Sequence, residues 1–203
     1  MTKQQVRDPK QKRSIEKKRR VIRAGYDLFC EKGYYKTNTA EIARLAGVST
    51  GIVYSYFPDK KAILVEAAGL YTQSLYEQFQ PLLSEPVDAG RLPETIKKLL
   101  EVFIASHTMS VEAHNEFMAL ALLEKDISAV FGDFENALKR KLCSLLEGAG
   151  FAGSNLREKI DVCYGIAETV GHESIKGKHS REELNEIEEI AVKAITAVLN
   201  DSV

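Results

Sequence analysis

Long apolar runs are missing from this sequence of 203 residues. A helix that spans a bilayer needs about 20 consecutive apolar residues, and no run in the chain approaches that length. The first ten residues, MTKQQVRDPK, are polar and basic and contain no apolar signal core. We therefore expect a cytoplasmic protein with no membrane segment.

Cysteine is scarce, and its spacing favours neither disulfide bonds nor a metal site. Cys30, Cys143 and Cys163 are odd in number and widely separated along the chain. This pattern is typical of a reducing compartment, where each thiol acts as a small packing residue. We predict that the protein uses no cofactor and no metal ion.

Common catalytic motifs are also absent: the sequence has no H-E-x-x-H, no Glu-x-x-His pair, no phosphate-binding glycine loop and no nucleophile elbow. His107 and His114, like His172 and His179, are seven residues apart, which is not the spacing of a metal pair on one helix turn. The alternative hypothesis of a helical enzyme would depend on His107, His114 or Glu116, and nothing beyond these residue types supports it. We predict that the protein is not an enzyme and has no catalytic residues.

The net charge of −1 conceals a strong asymmetry along the chain. Residues 1–61 contain 15 Lys and Arg against 6 Asp and Glu, a balance of +9. Residues 62–203 contain 13 basic and 23 acidic residues, a balance of −10. A basic segment favours a polyanionic partner, which the acidic remainder would repel. We therefore predict that the basic segment contacts nucleic acid; the alternative is a solvated basic face.

Residues 38–57, NTAEIARLAGVSTGIVYSYF, are predicted to form two short helices joined by a tight turn. Asn38 and Glu41 have the spacing of a capping box at the start of the first helix. Gly47 follows that helix where a left-handed backbone is needed, and Ser49 can cap the second helix. This order predicts a helix-turn-helix whose second helix enters the DNA major groove, although the same pattern also occurs without DNA binding.

The flanks of this motif make the prediction more specific. An amphipathic segment that ends in glycine, RRVIRAGYDLFCEKGY, precedes it, and the aromatic run YSYF leads into PDKKAIL. Together these segments resemble the tetracycline-repressor (TetR) family of bacterial transcription regulators over about residues 15–65. The positions that carry the resemblance are Val21, Ile22, Ala24, Leu28, Phe29, Gly33, Tyr34, Thr39, Ile42, Ala43, Ala46, Gly47, Val48, Ser49, Tyr54, Tyr56, Phe57, Lys60 and Leu64.

The resemblance implies an all-α fold of about nine helices. In such a fold, an N-terminal three-helix head carries the helix-turn-helix. A long helix connects this head to a helical C-terminal body, which binds ligand and forms the dimer. The predicted divisions are a flexible basic tail (1–13), a DNA-binding domain (14–60) and a ligand-binding and dimerisation domain (61–203). Periodicity and turn signals predict helices over residues 13–32, 39–46, 50–57, 59–83, from 92 onward, 110–125, 127–147, 154–175 and 180–200.

Candidate DNA contacts follow from the groove geometry and from the resemblance. Residues at the start of the third helix are expected to face the groove, where hydroxyl groups reach phosphates or bases. Ile52 has two open roles, a contact with a thymine methyl group or a core contact. The tail is either a basic arm on the DNA or a solubilising segment. The predicted DNA contacts are Thr39, Ser49, Thr50, Gly51, Ile52, Tyr54, Ser55, Tyr56 and Lys60, and the resemblance assigns phosphates to Thr39, Tyr54, Tyr56 and Lys60.

A ligand pocket is expected in the body, because the family encloses one among helices 4 to 7. Apolar periodicity places His107 on the inner side of helix 5, and polar residues of helix 6 follow. A few polar groups in an apolar surround suit an apolar or amphipathic small-molecule effector. The alternative is that the histidines are core or surface groups. The predicted ligand residues are Tyr71, Phe103, His107, His114, Asn115, Met118 and Phe134.

The last two helices, at 154–175 and 180–200, are apolar on two sides. In the final helix, apolar residues recur at heptad spacing from Leu184 to Val198, and a second stripe runs from Val192 to Leu199. A face that is too wide for one neighbour predicts a homodimer interface, which the resemblance also implies. A purely internal hairpin is the alternative.

These observations predict a sequence-specific transcription regulator that binds a palindromic double-stranded DNA operator as a homodimer and is released by a ligand. A second hypothesis is a DNA-binding regulator that is controlled by a protein partner. The third is the helical enzyme described above.

Overall fold

A computed structural model describes residues 12–151 and 153–201, and these residues form nine α-helices and one 3₁₀ turn. The predicted all-α fold is confirmed. None of the helices in this part of the chain is both long and apolar enough to cross a membrane. The helices are α1 (Lys12–Lys32), α2 (Thr39–Ala46), α3 (Thr50–Tyr56), α4 (Lys60–Leu83), α5 (Leu92–Thr108), α6 (Val111–Leu123), α7 (Lys125–Gly148), α8 (Leu156–Ile175) and α9 (Arg181–Asn200), with the 3₁₀ turn at Ala89–Arg91.

Most helix ends lie within two residues of the predicted ones. The α3 helix ends at Tyr56, one residue early, because Phe57 is already extended, with φ −133° and ψ 125°. Lys12 and Arg13 belong to α1 and not to the tail. The rest of the predicted tail, residues 1–11, lies outside the described residues.

The chain folds into two compact units. The head unit contains residues up to Thr72 together with Glu112–Gly132, and the body unit contains Gln73–Val111 and the residues from Asp133 onward. The head unit therefore holds α1 to α3, the first half of α4, nearly all of α6 and the start of α7. The helix-turn-helix thus folds together with a segment that is distant in sequence.

Close packing of α1 on α4 defines the core of the head unit. A Cβ atom added to Gly25 would lie 2.6 Å from the Cγ2 atom of Ile63, which is fully buried. Phe29 and Val21 on the same helix are also fully buried. The glycine therefore lowers helix propensity but allows the two helices to approach each other.

The core of the body unit is built from the end of α4 and from α5, α7, α8 and α9. One cluster groups Phe79, Phe103 and Leu138, and a second groups Ile96 with Ile195 of the last helix. All five side chains are buried, whereas Val162 of α8 and Ile190 of α9 are exposed at the surface.

Candidate nucleic-acid interface

The two caps of the helix-turn-helix have the geometry that the sequence predicts. The Asn38 side chain accepts hydrogen bonds from the backbone N–H groups of Ala40 and Glu41, at 3.1 and 3.0 Å. Glu41 accepts one in return from the Asn38 N–H at 3.1 Å, which completes the capping box. Gly47 has φ 64° and ψ 41°, the left-handed conformation that glycine adopts without steric cost.

The α3 helix has a buried side and an exposed side. Val53 and Phe57 are buried, as predicted. Ser49 caps the helix by accepting the Ile52 N–H at 3.4 Å. The exposed residues of the segment are Ser49, Thr50, Gly51 and Tyr54, while Ile52 and Ser55 are half-buried.

Gly51 lies in the exposed first turn of α3, where a Cβ atom would meet nothing closer than 3.9 Å, at Ser49 Oγ. The packing of the head itself therefore does not require glycine at this position. A side chain at this position would project from the exposed surface of α3.

Thr39 and Tyr54 join the start of α2 to the exposed side of α3. Their hydroxyl oxygens are 3.0 Å apart, and the Tyr54 side chain remains 40% exposed. Two predicted phosphate contacts therefore form one small polar surface that consists of hydroxyl groups.

Lys60 has a structural role that the sequence analysis did not predict. Its ammonium group donates to the backbone carbonyls of Tyr34 and Thr37, at 2.7 and 2.8 Å, and lies 4.1 Å from the centre of the Tyr34 ring. Desolvation lowers its pKa below the ordinary value. Lys60 is the first residue of α4, where a positive charge opposes the helix dipole and would be stabilised by a nearby phosphate. The two carbonyls balance the charge without a phosphate, so the phosphate role of Lys60 stays a prediction.

Tyr56 and Ser55 also make contacts within the head. Tyr56 is only 8% exposed, and its hydroxyl is 2.7 Å from Ser14 Oγ near the start of α1. Ser55 Oγ donates to the Ile52 carbonyl at 2.7 Å. Their predicted DNA contacts are untested, and the structure gives each of them an internal partner.

Glu116 of α6 fixes the turn between α1 and α2. Its carboxylate accepts the backbone N–H of Tyr34 at 2.6 Å. Lys61 at the start of α4 pairs with Glu124 and Asp126, each at 2.9 Å. From the sequence, Glu116 is a candidate only for the enzyme hypothesis. Its partner is a backbone group 82 positions away, which no local pattern reveals.

Four of the predicted ligand residues lie in the head unit. The Tyr71 hydroxyl is 3.4 Å from Nδ1 of the buried His114, and the Tyr71 ring stacks on Phe117 at 5.2 Å. Asn115 is exposed and Met118 is half-buried. Tyr71 and His114 are thus packed core residues in this structure.

An apolar cavity of about 120 Å³ lies within the body unit. It is formed by the end of α4 and by α5, α7, α8 and α9, with Leu100, Leu146 and Tyr164 among its walls. Of the seven predicted ligand residues, only Phe103 lines it. Phe134 instead packs against the core cluster that contains Phe103. Sequence periodicity showed which helix faces are apolar but not where the side chains leave space.

His107 packs between α5 and α8, beside Glu168 and His172. Its Nδ1 atom lies 2.8 Å from the Phe103 carbonyl oxygen, and its Nε2 atom lies 3.6 Å from Oε2 of Glu168. The ring of His172 meets that of His107 edge-on, with centroids 5.0 Å apart. Burial alone would lower the pKa of His107, but the Glu168 carboxylate and the Phe103 carbonyl favour the charged form and hold the pKa above its usual value.

Comparison with known proteins agrees with the local geometry. The family model of bacterial regulatory proteins of the tetR family matches residues 21–67. The HTH-type transcriptional regulator HbdR of Aromatoleum sp. (strain CIB) is 36% identical over 120 residues, which are 57% of this chain and 50% of HbdR. The fatty acid metabolism regulator protein of Bacillus subtilis (strain 168) is 26% identical over 155 residues, 75% of this chain and 76% of that protein. The chain thus spans about half the length of the first of these relatives.

The fold is shared with solved structures. A TetR-family transcriptional regulator from Mesorhizobium loti MAFF303099 superposes with a TM-score of 0.70 at 21% identity, covering 93% of this chain and 98% of that one. At this identity the likeness shows the fold alone. The family match over residues 21–67, the similar regulators and the capped helix-turn-helix together show that the chain carries the helix-turn-helix DNA-binding head of TetR-family transcriptional regulators.

Proposed function

We propose that this protein is a repressor that binds a palindromic operator as a homodimer and is released by a small molecule. The observation that carries the DNA-binding part is the exposed side of α3. There the caps order the helix, Val53 and Phe57 anchor it, and Ser49, Thr50 and Gly51 remain exposed. This arrangement leaves the N-terminal turn of a recognition helix free to enter a major groove.

The proposed contacts divide into two groups. Thr50 and Ile52 read base edges, while Thr39 and Tyr54 contact phosphates through their neighbouring hydroxyls. Ser49 and Gly51 allow the backbone of α3 to approach the DNA. Ser55, Tyr56 and Lys60 act mainly as supports, because each already has a partner inside the head.

The DNA-binding proposal is tested with a mobility shift on the DNA upstream of the protein's own coding region, titrated with salt. We expect a shift of dimer size whose affinity falls steeply as salt rises, because phosphate contacts release counterions. If that DNA is not bound, selection from random DNA gives a second test. Failure to enrich any sequence would contradict the proposal.

For the effector, we propose an apolar or amphipathic molecule with a slender chain that occupies the body cavity. The walls are almost entirely apolar, and Lys98 and Glu85 are among the few polar residues that line it. Its volume of about 120 Å³ is below the roughly 300–1,000 Å³ of drug-sized pockets. A fatty-acyl chain is the first candidate, which also agrees with the name of the Bacillus subtilis relative.

Cys163 lines the cavity, so the reactivity of its thiol should change when a ligand occupies the cavity. Burial raises its pKa to about 11, and burial also raises the pKa of Cys30 in the head unit to about 11. Both thiols should therefore react slowly at neutral pH and faster as pH rises towards 11, because only the thiolate is nucleophilic. We expect a bound fatty acid to slow alkylation of Cys163 and to leave Cys30 unchanged, measured by mass spectrometry. Equal effects on both thiols would contradict this location.

The dimer is proposed to form through the outer sides of α8 and α9. Val162 is 54% exposed and Ile190 is 65% exposed, although both are branched apolar residues on long helices. An interface that buries them would remove unfavourable apolar contact with water. Light scattering of Val162→Lys and Ile190→Lys variants tests this, and a dimer that persists in both would contradict it.

A further inference from the structure

The α8 helix presents two potential metal ligands one turn apart. Glu168 and His172 are four residues apart and therefore lie on the same side of the helix. Gly171 lies between them, and a Cβ atom there would be 2.6 Å from the His107 ring. The glycine thus allows the imidazole of α5 to reach the α8 backbone beside both side chains.

The three side chains converge on a small volume within the body unit. Oε2 of Glu168 is 3.6 Å from Nε2 of His107 and 4.0 Å from Nδ1 of His172. A ring nitrogen of His107 lies within 4.8 Å of a ring nitrogen of His172. The His107 side chain is 4% exposed and that of Glu168 is 28% exposed. The group is therefore partly screened from solvent but can be reached from the His172 side.

The tautomer of His107 is fixed by its backbone partner. Nδ1 lies 2.8 Å from the Phe103 carbonyl oxygen, which can only accept, so Nδ1 must carry the hydrogen. In a neutral ring, Nε2 then directs a lone pair towards the carboxylate of Glu168. Two electron-pair donors that face each other are stabilised by a cation or a proton between them.

We propose that His107, Glu168 and His172 bind a divalent transition-metal ion, with Zn²⁺ as the first candidate. Zinc binds nitrogen at about 2.0–2.1 Å and carboxylate oxygen at about 2.0–2.2 Å, so tetrahedral ligand atoms are about 3.4 Å apart. The 3.6 and 4.0 Å separations from Glu168 exceed that spacing by about 0.2 and 0.6 Å, and the nitrogens of the two histidines, which lie within 4.8 Å of each other, must also move closer together. Two imidazoles and one carboxylate favour zinc over magnesium or calcium, which prefer oxygen ligands.

Outer partners already orient two of the ligands. The Phe103 carbonyl holds the His107 ring, and the Tyr164 hydroxyl interacts with the Glu168 carboxylate. Such partners are typical of metal sites, where they fix the tautomer and the ring orientation. A bound ion would link α5 to α8 and so stabilise the body unit.

The full-length protein, treated with EDTA and desalted, is titrated with Zn²⁺ by calorimetry, and Co²⁺ serves as a spectroscopic probe. We expect one ion per chain, a higher melting temperature, proton release on binding, and visible absorption bands of four-coordinate Co²⁺. The variants Glu168→Gln and His172→Asn should each weaken Zn²⁺ binding by more than about tenfold. Both residues are partly exposed, so these variants should fold, whereas a change at buried His107 risks the packing against Gly171.

His179→Asn is the matched control. His179 pairs with Glu173 at 2.9 Å in the same unit, and within the described residues this pair is not part of a group of three potential metal ligands. We expect its Zn²⁺ affinity to match that of the wild type. The proposal is overturned if the wild type binds no Zn²⁺, which would mean that a proton fills the group. It is also overturned if binding survives both Glu168→Gln and His172→Asn. No DNA enters the assay, so its outcome is independent of the operator proposal.

Discussion

Two roles are possible for Lys60: it contacts a DNA phosphate, or it supports the fold of the head unit from inside. The variant Lys60→Met removes the ammonium group and keeps an unbranched stem of similar length. Two hydrogen bonds to carbonyls, at 2.7 and 2.8 Å, and a ring contact at 4.1 Å are lost. Hydrogen bonds to a charged group contribute roughly 1.5–3 kcal/mol each when buried, and these are partly exposed. We therefore expect a loss of about 2 kcal/mol in the free energy of unfolding for the pair, below the roughly 3–6 kcal/mol that two buried hydrogen bonds of this kind would give.

For a chain of this size, a loss of that magnitude lowers the melting temperature by about 4–8 °C, because 1 kcal/mol corresponds to about 2–4 °C. Lys61→Met is the control, since it removes the same charge from the adjacent residue, whose ammonium pairs with carboxylates at the surface. Calorimetry should show the larger loss for Lys60→Met. A phosphate contact predicts instead that the salt slope of DNA binding falls by about 0.9. An unchanged melting temperature together with that smaller slope would refute the support role.

Three further predictions concern single residues of the head unit. Gly25→Ala should destabilise the protein despite a better helix propensity, because the new Cβ would lie 2.6 Å from Ile63; a raised melting temperature would contradict the close packing. Gly51→Ala should keep or raise stability, by up to about 1 kcal/mol, and should weaken operator binding, so unchanged DNA affinity would argue against backbone approach at α3. Glu116→Ala should lower the melting temperature more than Glu116→Gln, which retains an acceptor for the backbone N–H 2.6 Å away, and equal losses would mean that this hydrogen bond contributes little.

Local signals predicted the helix-turn-helix almost residue by residue. The capping residues Asn38 and Ser49 and the turn residue Gly47 act within a few positions of themselves, so the sequence shows them directly. The same holds for the start of α4, where the Asp59 carboxylate accepts the backbone N–H of Ala62 at 2.8 Å. The presence and order of the helices were therefore predictable from the hydrophobic periodicity and from the residues that start and stop helices.

Contacts between distant segments were not predictable in this way. The partners of Glu116 and Lys60 are backbone groups, which any residue would supply, so the sequence carries no mark of them. The body cavity depends on how side chains from five helices fill space, and of the predicted pocket residues only Phe103 lines it. Glu168 and His172 are four residues apart, which places both on one helix face, but this spacing is common on surface helices and does not by itself indicate a metal site.

The central claim is that the first turn of α3 reads the operator. The most direct test is to select binding sites from random DNA with the wild type and with the variants Thr50→Ala and Ile52→Ala. We predict that each variant relaxes or changes the preference at particular base pairs of the half-site, since each lost base contact contributes about 1–3 kcal/mol of discrimination. If both variants select the wild-type sequence with unchanged preference, the assignment of α3 as the recognition helix is wrong.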